Sequence, residues 1–126
     1  MIYTATLYER PFLNLTSGKK FKELRVDKPK YGQVKPGDII LFSNVESDKD
    51  FRMAEVLVNG VFRYSSLEDA VQEHDPRKIL PSAETARDLE QALLRYYSLD
   101  VIKQFGILIW DITLVAVHLH PIRKLG

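Results

Sequence analysis

The sequence predicts a single α+β domain built on a curved mixed sheet or a small barrel. About five to seven short segments are β-branched, aromatic or continuously apolar, as strands are. About two or three segments between them have the apolar spacing and the capping residues of helices. The length of 126 residues suffices for one domain with a real core and is too short for two ordinary ones.

The first quarter of the chain predicts a strand, a short helix and a second strand. Ile2–Leu7 is β-branched and aromatic with partial alternation, as strands are. A helix is predicted to open at Arg10-Pro11, because proline suits the first helical turn. Ser17-Gly18 is expected to end it, since glycine readily adopts the left-handed conformation after a last turn. The second strand is predicted at Lys20–Val26.

A turn-rich loop at Asp27–Val34 precedes a tight turn at Lys35–Asp38. Its proline and glycine favour type II geometry, which requires a positive φ at Gly37. The turn leads into Ile39–Phe42, an apolar run long enough only for a buried strand. After a polar loop, strands are predicted at Phe51–Asn59 and Val61–Tyr64.

The remainder of the chain predicts two helices and a long strand. Ser66 is expected to cap a helix that begins near Leu67, because Asp69 follows three residues later as in a capping box. The stretch His74–Pro81 is predicted to be irregular, and Ser82 to start the main helix, which continues to Tyr97. Phe105–His120 is predicted as one long strand, or two strands separated by a bulge.

Composition and the distribution of charge indicate where the protein is located and what kind of partner it binds. The chain has no cysteine, no apolar leader and no uninterrupted apolar run long enough to span a membrane, which predicts a cytoplasmic protein without a membrane partner. The net charge is +1, but residues 19–35 contain seven of the 18 basic residues and two acids, a local balance of +5. This asymmetry suggests a basic face for an anion; a solvated charged loop is the alternative.

Three charged residues of the second strand are the candidate site. In a strand, Phe21, Glu23 and Arg25 share one face, while Lys22 and Leu24 share the other. A lysine at position 20 could act as a base if buried, Glu23 could transfer protons, and Arg25 could bind phosphate in a bidentate manner. The alternative is an internal bridge from Glu23 to Arg25 or Lys20 that only fixes the strand.

The pattern G-x-K-x-x-E-x-R, formed by Gly18, Lys20, Glu23 and Arg25, resembles the ASCH domain (activating signal cointegrator homology) of the PUA-like superfamily. Two further stretches also resemble that family. One is the P-G-D opening of the strand Pro36–Phe42, and the other is Tyr96-Tyr97 followed by an aromatic strand after Gly106. The resemblance covers residues 11–42 well and residues 93–112 loosely.

The resemblance implies a PUA-like β-barrel flanked by helices, with a cleft that holds Lys20, Glu23 and Arg25 and binds RNA or a nucleotide-like molecule. A few small members of the family are enzymes, among them an amidohydrolase of N4-acetylcytidine and proposed ribonucleases. In the amidohydrolase type, a threonine nucleophile occupies the position of Glu23, so this chain lacks that nucleophile. The alternatives are therefore a small hydrolase with Lys20 and Glu23 as acid and base, or a protein-interaction module.

Other residues extend the predicted site. Lys28 and Lys30 are expected to contact phosphate, and Tyr31 and Tyr97 to stack on a base. If a further carboxylate joins the cleft, as in enzyme-like relatives, the loop offers three that the sequence does not distinguish: Glu73, Asp75 and Glu84. His118 and His120 share a strand face, but two imidazoles are too few for a metal site, and none is predicted. No Walker loop or dinucleotide fingerprint occurs, so no cofactor is predicted.

Overall fold

The computed structural model describes residues 1–119, in which five strands form one mixed sheet. The sheet order is β1-β3-β4-β5-β2. β1 pairs with β3 in parallel, and the other neighbouring pairs are antiparallel. The strands are β1 (Ile2–Leu7), β2 (Lys22–Val26), β3 (Ile39–Asn44), β4 (Arg52–Tyr64) and β5 (Ile107–Leu119). The predicted α+β class with a mixed sheet is confirmed.

Five helices, rather than two or three, accompany this sheet within residues 1–119. They are α1 (Glu9–Thr16), α2 (Leu67–Gln72), α3 (Pro76–Ile79), α4 (Ala86–Leu93) and α5 (Leu99–Phe105). A single 3-10 turn occupies Pro29–Tyr31 in the basic loop. Over the same residues, no helix is long and apolar enough to cross a membrane.

The prediction of one main helix from Ser82 to Tyr97 is wrong, because Thr85 rather than Ser82 caps the N-terminus of the helix and the helix ends before Tyr97. Thr85 forms a complete capping box with Asp88, so α4 begins after it. Ser98 then accepts a hydrogen bond from the Val101 amide and starts α5. The predicted irregular stretch also contains a short helix, since Asp75 caps α3 and Pro76 occupies its first turn.

The strands agree with the predictions apart from their ends. β4 is one continuous strand that pairs along its whole length with β5, with irregularities between Glu55 and Val56 and between Val58 and Gly60. β5 begins at Ile107 rather than at Phe105, which still belongs to α5. The turn before β3 has the predicted positive φ, +96° at Gly37, and the Asp38 amide donates to the Lys35 carbonyl at 3.0 Å.

Successive side chains of β5 point to opposite faces of the sheet, so this strand contributes to two separate apolar cores. Leu108, Trp110 and Ile112 face one cluster, which α1 and the inner residues of β3 and β4 complete. Ile107 and Ile109 face the other cluster, which the apolar residues of α2 to α5 cover. Every one of these five side chains is buried. β5 is therefore a central strand with a core on each face, as a continuous apolar run favours.

The edge strands β1 and β2 approach each other without pairing. The Arg25 guanidinium on β2 donates through Nη2 to the Thr6 carbonyl on β1. No backbone ladder joins these two strands among residues 1–119, so the sheet is curled and open and a closed barrel is not confirmed. The gap between the two edges contains the candidate site.

Candidate functional site

A cavity of about 710 Å³ lies in the gap between β1 and β2. The end of β1 and the start of α1 form one wall, and β2 forms the opposite one. The segments at the end of α3 and at the end of α4 complete it. Lys20, Glu23, Arg25 and Tyr97 all line it, so four of the predicted site residues meet at one place. The volume lies within the range of ordinary small-molecule sites.

The strand geometry of β2 brings the charged side chains together as predicted. Glu23 and Arg25 share a face, and Arg25 Nε donates to Glu23 Oε2 at 2.8 Å. Lys20 Nζ approaches the same carboxylate from the preceding turn, 3.1 Å from Oε1. Glu23 thus bridges two cations, and its side chain is only 8% exposed. The internal bridges considered from the sequence do form, and they line the cavity.

Lys20 uses all three of its ammonium hydrogens. Nζ donates to the carbonyls of Lys22 and Ile79, each at 2.7 Å, in addition to its contact with Glu23. Burial lowers the pKa of Lys20, and the charge of Glu23 opposes that effect. The three acceptors hold the group as an ammonium ion, so it contributes positive charge to the cavity and has no lone pair available in this arrangement.

Arg25 keeps donors available for a ligand. Its hydrogen bonds go to Glu23, to the Tyr31 hydroxyl at 2.8 Å and to the Thr6 carbonyl. A guanidinium carries five N–H groups, so two remain after these contacts. Burial has the largest single effect and lowers the pKa of Arg25, but the charge of Glu23 together with the contributions of Tyr31 and Tyr97 outweighs it, so the pKa is raised. Arg25 therefore stays positively charged and has two N–H donors that no group within residues 1–119 accepts.

The two predicted stacking tyrosines occupy different places. Tyr97 lines the cavity, and burial raises the pKa of its hydroxyl to about 12, so it stays neutral. Tyr31 is 9% exposed and packs edge-on against Trp110 in the core, with centroids 5.3 Å apart. Lys30 Nζ also lies 4.9 Å from the Tyr31 ring. Tyr31 supports Arg25 from inside the core and does not present a ring face to the cavity.

The remaining predicted residues do not line the cavity. Lys28 and Lys30 are exposed in the loop after β2, outside the cavity wall. The loop acids Glu73, Asp75 and Glu84 are exposed as well. The Asp75 carboxylate has a structural partner, since it accepts from the Arg77 amide at 3.0 Å at the start of α3. Accordingly, Glu23 is the one acid that lines this cavity in residues 1–119.

Four residues at the cavity mouth were not among the predicted site residues, although Tyr96 belongs to the Tyr96-Tyr97 pair noted in the sequence. Tyr8 and Arg10 lie at the junction of β1 and α1, and Arg95 and Tyr96 lie just after α4. All four are exposed. In both places an arginine lies within two residues of a tyrosine, but the two places are far apart in the chain and no local pattern links them. Only the fold brings them to the same opening.

A second polar cluster lies on the other face of β2. Lys22 Nζ is 2.7 Å from Asp111 Oδ1 and 2.8 Å from His74 Nδ1, and His74 Nε2 is 2.7 Å from the Tyr64 hydroxyl. Because an ammonium only donates, Nδ1 must accept and the imidazole is neutral with its proton on Nε2. Burial first, and then the charge of Lys22, lower the pKa of His74. Burial and the neighbouring Glu73 raise the pKa of Tyr64 to about 12.

This cluster predicts an acid-sensitive stability. The unfolded chain protonates His74 near pH 6.5, whereas the folded protein resists protonation, so its contribution is fully present above about pH 6.5 and is lost as the pH falls from there through the lower pKa of the folded state. We expect the urea midpoint to fall less between pH 8 and pH 5 in His74→Gln than in the wild type. His118→Gln, at the surface contact with Glu55, is the control and should keep the wild-type fall. Equal falls in all three proteins would contradict the assignment.

The histidine pair considered from the sequence is only partly described. His118 Nε2 lies 2.8 Å from Glu55 Oε1 across the β4–β5 pair. His120 lies outside the described residues. Within residues 1–119, no group of three or more His, Asp or Glu side chains is arranged to hold a metal ion.

Comparisons with known proteins identify relatives of the fold. No family model matches the chain, and no curated protein matches it. The crystal structure of hypothetical protein PH0355 superposes with a TM-score of 0.78 and 25% identity over 91% of this chain and 100% of that one. The solution NMR structure of protein PF0455 from Pyrococcus furiosus superposes with a TM-score of 0.69 and 23% identity over 91% of this chain and 98% of that one. These similarities establish the architecture, and the function must be argued from the cavity.

Proposed function

We propose that the protein binds RNA or a nucleotide-like anion in the cavity between β1 and β2. The observation that carries the proposal is the charge of the lining. Four basic residues and one acid line the cavity: Arg10, Lys20, Arg25, Arg95 and Glu23. The single carboxylate is already shared by the two buried cations, so a net positive charge faces the space where a ligand would lie.

The uncharged lining favours a nucleotide over a simple anion. Three tyrosines, Tyr8, Tyr96 and Tyr97, line the same cavity. Aromatic rings beside basic side chains are the combination with which proteins bind single-stranded nucleic acid, since rings stack on bases and cations contact phosphates. The neutral hydroxyl of Tyr97 and the two spare donors of Arg25 could contact the polar edge of a base.

The fold proposed for this function is an incompletely closed PUA-like barrel of the ASCH type. The cavity lining supports this proposal, because it includes three residues of the G-x-K-x-x-E-x-R pattern: Lys20, Glu23 and Arg25. The cavity lies where β1 and β2 would join if the sheet closed. In this proposal the unclosed edge serves as the binding cleft.

An affinity measurement tests the proposal. Titration calorimetry with ribonucleoside 5′-monophosphates and short single-stranded RNAs should show binding that weakens as salt is raised. Arg95→Ala should weaken it about tenfold, because a charge-assisted contact to phosphate is lost at an exposed site. Arg87→Ala, at an exposed position on α4 outside the cavity, is the matched control and should leave the affinity unchanged. Absence of binding to every probe, or equal effects of the two variants, would contradict the proposal.

The same samples separate the alternatives. If RNA follows the basic loop beyond the cavity, neutralising Lys28, Lys30 and Lys35 together should flatten the salt dependence for an oligonucleotide and leave that for a mononucleotide unchanged. Chromatography after incubation with N4-acetylcytidine tests the hydrolase alternative. Lys20 has no free lone pair in the observed arrangement, so we expect binding without turnover.

A further inference from the structure

We propose that Tyr8 and Tyr96 form an aromatic clamp at the cavity mouth that receives one unpaired nucleobase between their rings. The clamp makes the base, as well as the phosphate, a determinant of binding. This inference rests on the proposed nucleotide-binding function and assigns the ligand class of that same cavity: a nucleotide whose base is free of any pairing partner.

The geometry of the pair carries the proposal. The rings of Tyr8 and Tyr96 stack with centroids 5.3 Å apart and an interplanar angle of 29°. They are 50% and 60% exposed, so the contact is at the surface and contributes to neither core. Tyr8 lies in the wall formed by β1 and α1, and Tyr96 lies in the segment after α4 that completes the lining. The stacked pair therefore spans the mouth of the cavity.

A base inserted between the two tyrosine rings would replace the single contact between Tyr8 and Tyr96 with two contacts, one between the base and each ring. Stacked carbon atoms are attracted best at about 3.5 Å, so a base held between two rings needs them about 7 Å apart. The centroids of the observed pair are 5.3 Å apart and the rings are in direct contact, so they would have to move apart to admit a base. Because both tyrosines are exposed and lie in connecting segments, this opening requires rotation of surface side chains and no rearrangement of a core.

The neighbouring charges define the rest of the ligand. Arg10 and Arg95 each lie within two residues of a clamp tyrosine and line the same cavity. Neither guanidinium forms an ion pair with a carboxylate in the described part of the chain. Free cations beside a stacking platform fit the phosphate attached to a stacked nucleoside. A paired base has both faces covered by its neighbours in the duplex, so duplexes are excluded from the clamp.

The test compares ligands with and without a base. Calorimetry of the wild type should give at least tenfold tighter binding for some ribonucleoside 5′-monophosphate than for ribose 5-phosphate. Tyr96→Leu should remove this advantage and leave the affinity for ribose 5-phosphate unchanged, whereas Tyr96→Phe should retain it. Phe62→Leu, at an exposed aromatic ring beside His74 and outside the cavity, is the matched control. Because Tyr96 is exposed, the melting temperature of each variant should confirm that it folds.

The outcomes separate this inference from the function on which it rests. Equal binding of nucleotide and ribose 5-phosphate, unchanged in Tyr96→Leu, overturns the clamp and leaves anion binding in place. Failure of every probe to bind overturns the proposed function, and the clamp with it. If the clamp holds, a single-stranded octanucleotide binding at least tenfold tighter than its mononucleotide identifies RNA as the source of the base, and equal affinities identify a free nucleotide. A duplex octanucleotide that competes as well as the single strand also overturns the clamp.

Discussion

Replacing Glu23 with glutamine is expected to lower the free energy of unfolding by about 3 kcal/mol. The reason is that Glu23 alone neutralises both Lys20 and Arg25, at 3.1 and 2.8 Å, in a site where the three side chains are 4–12% exposed. Removing one partner of a buried ion pair leaves a charge without compensation, and here two cations would be left. Urea denaturation at neutral pH measures the change.

The matched control applies the same substitution to a carboxylate on the surface. Glu55 contacts His118 at 2.8 Å with side chains that are 27% and 51% exposed, so Glu55→Gln should change stability by less than about 1 kcal/mol. Similar small effects of the two substitutions would mean that the Glu23 bridges contribute little. From the sequence alone, a glutamate facing a ligand would be expected to be replaceable without loss of stability. The structure reverses that expectation, because Glu23 also holds its neighbours in place.

Replacing Gly106 with alanine is expected to cost about 3 kcal/mol, the other large effect on stability. Gly106 joins α5 to β5 with φ +80° and ψ −171°, a combination that is essentially restricted to glycine. An added Cβ would also lie 2.7 Å from the Tyr64 carbonyl oxygen, which belongs to the paired strand and has little freedom to move. Backbone strain and steric overlap therefore act together.

The variant Gly37→Ala introduces the backbone strain without the steric overlap, so it separates these two causes. Gly37 has φ +96°, but an added Cβ would meet no atom within 4 Å. That variant should lose only the cost of the backbone conformation, about 1–2 kcal/mol. Thermal and urea denaturation of both variants provide the comparison. Equal losses would show that the contact with Tyr64 relaxes at no cost, and an undiminished stability of Gly106→Ala would contradict the junction geometry.

The fold was predictable where local signals determine the structure. β-Branched and aromatic residues define β1, a continuous apolar run defines β3, proline and glycine define the turn at Gly37, and the Ser66 side chain caps α2. Prediction failed between residues 74 and 105, where the apolar spacing continues across helix ends. There the hydrogen bonds of Thr85 and Ser98 decide where each helix starts, and several residues in the stretch could have served as caps.

The positions of Glu23 and Arg25 at the floor of the cavity were predictable because the two residues are close in the chain. The positions of Tyr8 and Tyr96 at its mouth were not predictable. Glu23 and Arg25 are two residues apart on one strand, so their side chains must lie on the same face whatever the rest of the fold. Tyr8 and Tyr96 come together only through the curvature of the sheet and the packing of α4. Tyr31 shows the reverse case, since its place in a basic loop suggested exposure but its ring fills the core beside Trp110.

The pairing of β2 with β5 has a consequence for how the site assembles. Lys22 pairs with Asp111 and Val26 with Ile107, so the partners are separated by roughly two thirds of the chain. Contacts between such distant residues carry a large loop-closure entropy and slow the folding of small domains. β4 and β5 must already be in place before β2 has an edge to join. We therefore expect the ionic floor of the cavity to form among the last steps of folding, when most of the chain is already ordered.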